Sequence, residues 1–138
     1  MSDRATRKTW LEYVSFVLTT AISVEKGKLA CIDTATGLVV NGATSLTLIP
    51  IGYFDETIAN AAAGQEVTIK LFVGVWVHWL DNDAGGTPVV AADLLGPCYI
   101  LDETTVTGDA TGASVAGRVW ALDTVEGVGV EINGMNAG

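Results

Sequence analysis

The sequence predicts a mainly β protein: a compact antiparallel β-barrel or β-sandwich of about 8–10 short strands, preceded by an extended N-terminal arm. Three observations carry this. The chain of 138 residues holds 16 glycines among many Thr, Val and Ile residues, the composition of short strands joined by tight turns. Its apolar residues recur at period two in short runs. Almost nowhere do they recur at the spacing of an amphipathic helix.

Residues 1–12 read as the arm, polar and basic up to the apolar anchors Trp10 and Leu11. Residues 13–133 read as a single β-domain and 134–138 as a tail. The first strand signal comes from Val14, Phe16 and Leu18 alternating with Tyr13, Ser15, Val17 and Thr19. Lys28 to Asp33 and Leu38 to Val40 flank Thr34-Ala35-Thr36-Gly37, the pattern of a hairpin around a glycine-containing turn. Leu46 to Tyr53 is extended, and Pro50 within it calls for an edge position or a bulge, because proline cannot donate to a ladder. Ile58 to Gly64 fits one helical turn or a small-residue loop equally well.

The cleanest strand follows, with Val67, Ile69, Leu71 and Val73 on one side and Thr68, Lys70 and Phe72 on the other. Val75 to Leu80 is apolar on both faces, which requires burial or cover by a neighbouring subunit. Asp81 to Gly86 reads as a turn, and Val89 to Leu95 as a short helix stopped by Gly96-Pro97. Cys98 to Leu101, Val115 to Leu122 and Val128 to Ile132 are further strands, with Gly108 to Gly112 a loop. No repeat of about 20–50 residues is visible.

Charge narrows the partners. The formal net charge is −9, yet Arg4, Arg7 and Lys8 place three of the seven basic residues at the very start. The rest of the chain sets Lys26, Lys28, Lys70 and Arg118 against fifteen acids, a net charge of −11. Such a body repels polyanions, so no nucleic acid is expected as a partner. The basic arm suits an acidic protein surface, or is simply a solvated tail.

No membrane partner is expected either. Leu11 to Val24 is broken by polar residues, and Leu71 to Leu80 is too short to span a bilayer. Synthesis in the cytoplasm follows as an expectation. There Cys31 and Cys98 should be two buried thiols rather than a disulfide.

The search for chemistry returns little. A lone histidine and no CxxC leave no transition-metal site, so no cofactor is expected. His78, between Trp76 and Trp79, lacks a nucleophile-elbow serine to serve and reads as a packed core or interface residue. Asp81-Asn82-Asp83-Ala84-Gly85-Gly86 resembles a calcium loop but fails it at the fifth place, Gly85, and the twelfth, Ala92, leaving an acidic hairpin turn. The adjacent pairs Asp55-Glu56 and Asp102-Glu103 cannot face each other across a cleft. Trp76 and Trp79 have opposite parity, so one can face the core and the other a partner. Aromatic residues favour interface hot spots, although core packing would also explain each, Trp120 included.

The order of motifs resembles a widespread family of small tailed-phage head proteins, the capsid cement or decoration proteins. The resemblance starts at Val24-Glu25-Lys26-Gly27-Lys28-Leu29-Ala30-Cys31-Ile32-Asp33 with Thr36-Gly37. It continues through Ile51-Gly52-Tyr53-Phe54-Asp55-Glu56-Thr57-Ile58-Ala59-Asn60, Val67 to Leu71, and Gly74-Val75-Trp76. Pro88 to Gly96 and Cys98 to Val106 form its most recognisable stretch, and Ala116-Gly117-Arg118-Val119 with Gly127 to Val130 closes it. It covers residues 21–132; Gly129 departs from it, standing where relatives often carry an aromatic residue.

The resemblance implies a β-rich, non-enzymatic virion protein on the capsid exterior. It implies the major capsid protein as partner and self-association, as a homotrimer at threefold or local threefold positions. On that footing Arg4, Arg7, Lys8, Trp10 and Leu11 form a capsid-binding arm, and Trp76, His78, Trp79 and Trp120 a subunit or capsid interface. A tail or baseplate β-module, a carbohydrate-binding module stacking sugars on Trp76 or Trp79, and a small hydrolase are the alternatives.

Overall fold

A computed structural model describes residues 12–73 and 76–132. The alternating segments become ten strands: β1 (Tyr13–Val17), β2 (Leu29–Asp33), β3 (Leu38–Asn41), β4 (Leu48–Phe54), β5 (Glu66–Leu71), β6 (Val77–Asn82), β7 (Pro97–Ile100), β8 (Thr105–Thr107), β9 (Val115–Asp123) and β10 (Gly127–Glu131). The first five form a sheet in the order β1-β5-β4-β2-β3, and the last five close into a barrel in the order β10-β6-β8-β7-β9. The protein is mainly β, as its patterning requires.

The two halves share one topology. Written from its first strand, the barrel runs β6-β10-β9-β7-β8, the order of the first sheet with five added to every strand number. The likeness extends to details. The barrel closes through the parallel pair β6–β8, with Asn82 opposite Val106. The first sheet curls far enough for a parallel bridge between Leu18 and Val39 at the same place. Each half has a bulge where its second strand meets its fourth, between Ala30 and Cys31 and between Cys98 and Tyr99. Gly52 and Gly117 stand at those bulges, and a Cβ on either would collide with a carbonyl of the adjacent strand, Lys70 or Glu131.

Register therefore matches residues between halves: Tyr13 with Val77, Ser15 with Trp79, Thr68 with Gly129, and Lys70 with Glu131. The repeat escaped the sequence because only interior matched positions share apolar character while outer ones differ in size and charge, and because its period of 64 residues from Tyr13 to Val77 exceeds that of common short repeats. Interior pairs are Ala30 with Cys98, Ile32 with Ile100, Val39 with Val106, Val67 with Val128 and Ile69 with Val130.

Two core clusters result. One fills the concavity of the first sheet with Leu18, Val39, Phe54, Val67 and Ile69. The other fills the barrel and reaches back onto the outer side of the first sheet, joining Leu29, Cys31, Leu48 and Phe72 to Ile100, Val119 and Val130. Hydrogen bonds cross this seam from Leu29 N–H to the Glu103 carbonyl (2.9 Å) and from Leu48 N–H to Ser114 Oγ (3.1 Å).

Of the two positions open to Pro50 the structure takes the bulge, since β4 is flanked by β2 and β5. Several other expectations need adjustment. Ile58 to Gly64 is the loop, not a helical turn: Ile58 bridges Val24, and Ala61 N–H reaches the Ile22 carbonyl (2.8 Å). Asp81 and Asn82 belong to β6, and the turn after them is no hairpin, since β6 and β7 do not pair. Val89 to Leu95 keeps a single 3-10 turn, Ala91–Asp93, with Asp93 Oδ2 accepting the Val90 N–H (2.9 Å). The alternation of β5 ends at Leu71, after which Phe72 turns into the other core. β8, only three residues long, is too short to carry a period and was not foreseen.

Gly117→Ala and Gly52→Ala should each destabilise the fold by about 1–3 kcal/mol in urea denaturation, because each overpacks a backbone contact. Gly86→Ala, where no atom lies within 4 Å, should change stability by less than about 0.5 kcal/mol.

Candidate functional site

Alternation along β6, β9 and β10 turns Leu80, Val119, Val128 and Val130 into the barrel. Their neighbours face outward. Val77, Glu131 and Arg118 form one cross-strand row, and Trp79, Gly129 and Ala121 the next. A bulge between Gly129 and Val130 leaves Trp120 between the rows. Trp76 lies immediately before β6.

The face is open. On it Trp120 is 46% exposed and Val77 and Trp79 43% each, beside the charged Arg118 and Glu131, and Trp76, just before β6, is 68% exposed; single large apolar side chains would be unremarkable but this many are not. Two of the tryptophans are held in place. The Trp79 indole lies across Gly129, its ring 3.3 Å from where a Cβ would stand. That contact shields the bare backbone of a strand glycine, the arrangement known as aromatic rescue. Trp120 Nε1 donates to Glu131 Oε1 at 2.6 Å, which fixes the second indole and draws on a charge-assisted bond.

The matching surface of the first half serves as an internal control. Both halves share one five-stranded order, the first as a curled sheet bridged at Leu18–Val39 and the second as a closed barrel, so what that strand order demands should recur in both. Interior residues do recur in kind. On the outer face Trp79 is matched by Ser15, Gly129 by Thr68, and Glu131 by Lys70. Tyr13, matched with Val77, is exposed and lies under Lys70 Nζ, 6.0 Å from its ring centroid. The shared strand order thus forms without a tryptophan at the Trp79 position.

The residues named from the sequence are placed as follows. Trp76, Trp79 and Trp120 are all exposed. The expectation that one of Trp76 and Trp79 faces the core is corrected, since Trp76 precedes the strand and its parity does not carry through. His78 is turned to the opposite side, with Phe72 at 4.5 Å and Tyr53 at 5.5 Å between ring centroids. It is a seam residue rather than part of the open face. Arg4, Arg7, Lys8, Trp10 and Leu11 lie outside the described residues. Sequence reasoning assigned contacts to the strand Val75 to Leu80 and the last strands but did not single out Val77, Arg118, Gly129 and Glu131; the shared parity of 77 and 79 with 129 and 131 was the available signal.

Elsewhere, an open cavity of about 470 Å3 is lined by Asp81, Asn82, Val89, Leu122, Asp123 and Val125 among others. Asp123 Oδ2 is committed to the N–H groups of Val125 and Glu126 (2.9 and 2.6 Å). Asp83, in the supposed calcium loop, accepts from Gly85 N–H, Thr87 N–H and Thr107 Oγ1 and so serves its own loop. Among the described residues no group of three or more His, Cys, Asp or Glu side chains could hold a metal ion. Among the described residues no helix is long and apolar enough to cross a membrane.

Cys31 and Cys98 are free, buried thiols, each pushed up to about 12 by burial. Iodoacetamide at about pH 8 should leave both unlabelled in the folded protein and label both after unfolding. Burial also lowers the pKa of His78 from its ordinary 6.5. The unfolded chain therefore binds that proton more readily, and stability present above 6.5 is lost as the pH falls toward the folded value. An NMR titration of this single histidine should show a midpoint below 6.5, and His78→Phe should flatten the stability profile just under that pH.

Comparison of the chain with protein families, curated proteins and solved structures gives no match.

Proposed function

We propose that this protein is a non-enzymatic structural component of a tailed-phage head, binding the outside of the assembled capsid and bridging its major capsid proteins. The observation that carries the reading is the open β6–β10–β9 face, where Trp79 and Trp120 are held in place although the matching half forms the same strand order with Ser15 at the Trp79 position. The resemblance of residues 21–132 to the cement family supplies the setting.

In this reading Trp76, Trp79 and Trp120 meet a neighbouring copy or the shell, and the protein assembles as a trimer at threefold or local threefold positions. Aromatic anchors held before contact lose little freedom on binding, which favours affinity. Arg4, Arg7 and Lys8 add attraction to acidic shell residues, with Trp10 and Leu11 as apolar anchors. Each contact is modest, but many symmetric copies acting together clamp neighbouring capsomers. Stabilisation follows from binding the mature shell better than its dissociated parts.

Two variants test this on purified heads. Deleting residues 2–11 and, separately, combining Trp79→Ser with Trp120→Ser should each lower occupancy by roughly tenfold or more at limiting protein. Serine is the residue that the position matching Trp79 already carries, and a thermal melt of the double variant checks that it is folded before occupancy is read. Full occupancy by both variants would refute the reading.

A further inference from the structure

The seam between the halves is a joint with two sides, and the repeat leaves a further copy of each side on the surface. One side, the plug, is the outer face of β2 and β4, where Leu29, Cys31 and Pro50 are buried. The other, the socket, is the end of the barrel. There Leu29 N–H bonds the Glu103 carbonyl after β7 and Leu48 N–H bonds Ser114 Oγ before β9 (2.9 and 3.1 Å).

Register carries the plug to the second half. Leu29 pairs with Tyr53 and Cys31 with Pro50, as Pro97 pairs with Arg118 and Tyr99 with Val115. Leu29, Cys31 and Pro50 therefore match Pro97, Tyr99 and Val115, which are open: Pro97 and Val115 are exposed and Tyr99 is half-buried. The match runs on to Gly27 and Leu95. Gly27 N–H reaches the Phe54 carbonyl (2.8 Å) and Phe54 N–H the Lys28 carbonyl (3.0 Å). In the same pattern Leu95 N–H reaches the Val119 carbonyl (2.7 Å) and Val119 N–H the Gly96 carbonyl (2.9 Å). Both residues are left-handed, at φ 89° and φ 68°. Glycine adopts that conformation freely and leucine does not. Where the first half sets a glycine against the seam, the second holds a strained leucine 60% exposed beside its open plug.

The socket recurs as well. At the barrel end Ile100, Ser114 and Ile132 are buried, and the two isoleucines share a core cluster with Leu29 and Cys31. Ile100 N–H bonds the Ser114 carbonyl (2.9 Å), as Ile32 lies opposite Ile49. Glu131 faces Arg118 as Lys70 faces Tyr53, so Ile132 matches Leu71. The matching residues Ile32, Ile49 and Leu71 are only half-buried, and so is Val14, paired with Ile69.

We propose that copies of this chain join head to tail by repeating the seam between molecules. The β7–β9 face of one copy, with Leu95, Pro97 and Val115, seats on the Ile32, Ile49 and Leu71 end of the next copy's first sheet. One chain is then two links of a longer series. Contacts of this kind give a ring where the rotation closes and a filament where it does not. The trimer of the decoration reading is such a ring, of six five-stranded units, but the joint belongs to the free protein and does not rest on that reading.

Sedimentation velocity of the full chain tests it. The parent should associate as its concentration rises to about 1 mM, and Leu95→Gly should raise the dissociation constant roughly tenfold or more without lowering the melting temperature. A parent that stays monomeric, or a Leu95→Gly variant that associates as tightly, would overturn the proposal. Mixing reads the direction of the joint. Val115→Glu spoils the plug and Ile49→Glu the socket, so each alone should be monomeric, while an equimolar mixture should form dimers and nothing larger. A mixture that stays monomeric would also overturn it. Thermal melts confirm that each variant is folded, and Val14→Glu, on the same socket, replaces Ile49→Glu where that change unfolds the chain. Heads enter neither experiment, so failure of the decoration reading would leave these results standing.

Discussion

The rest of the structure depends on β2 and β4 being buried on both faces. Leu29, Ala30 and Cys31 are consecutive and each is at most 1% exposed, which a half-solvated sheet cannot produce. Ala30 faces the concavity of the first sheet, while Leu29 and Cys31 face the barrel. One strand thus belongs to two cores at once. This is what makes two five-stranded units a single body: neither can expose its side of the seam without uncovering Leu48, Phe72 and the thiol of Cys31.

That double burial also explains how much of the fold was legible in the sequence. Strong alternation located the hairpin around Thr34 to Gly37 and the strands β1, β5 and β10 to within a residue or two, because period two survives wherever one face is solvated. Pro50 announced a bulge through chemistry alone. What stayed hidden was pairing between distant segments, above all the parallel β6–β8 contact and the three-residue β8 itself. No local pattern specifies which strand a short Thr-Val-Thr segment will join.

The face on the barrel was half legible for a related reason. Its tryptophans stand out in any sequence, yet what makes them a surface is the glycine opposite. Gly129 looked like a departure from the cement family, a missing aromatic. In three dimensions the aromatic is supplied from across the strand, by Trp79. His78 misled in the opposite direction: its position between two tryptophans suggested company with them, but strand parity sends it to Phe72 and Tyr53.

The two halves differ in how firmly they are closed, and this has a consequence of its own. The barrel is closed by a short parallel ladder, Asp81 with Thr105 and Asn82 with Val106, so both of its end strands have a partner. The first sheet is joined across its ends by little more than the Leu18–Val39 bridge and the Thr19 N–H bond to the Val39 carbonyl (3.0 Å). Thermal agitation will breach that stitch long before it opens the ring. Any tendency of crowded copies to recruit one another's backbone into fibres should therefore originate at the β1 and β3 rims, and sequence changes that tighten them would extend shelf life without touching the tryptophan-bearing side.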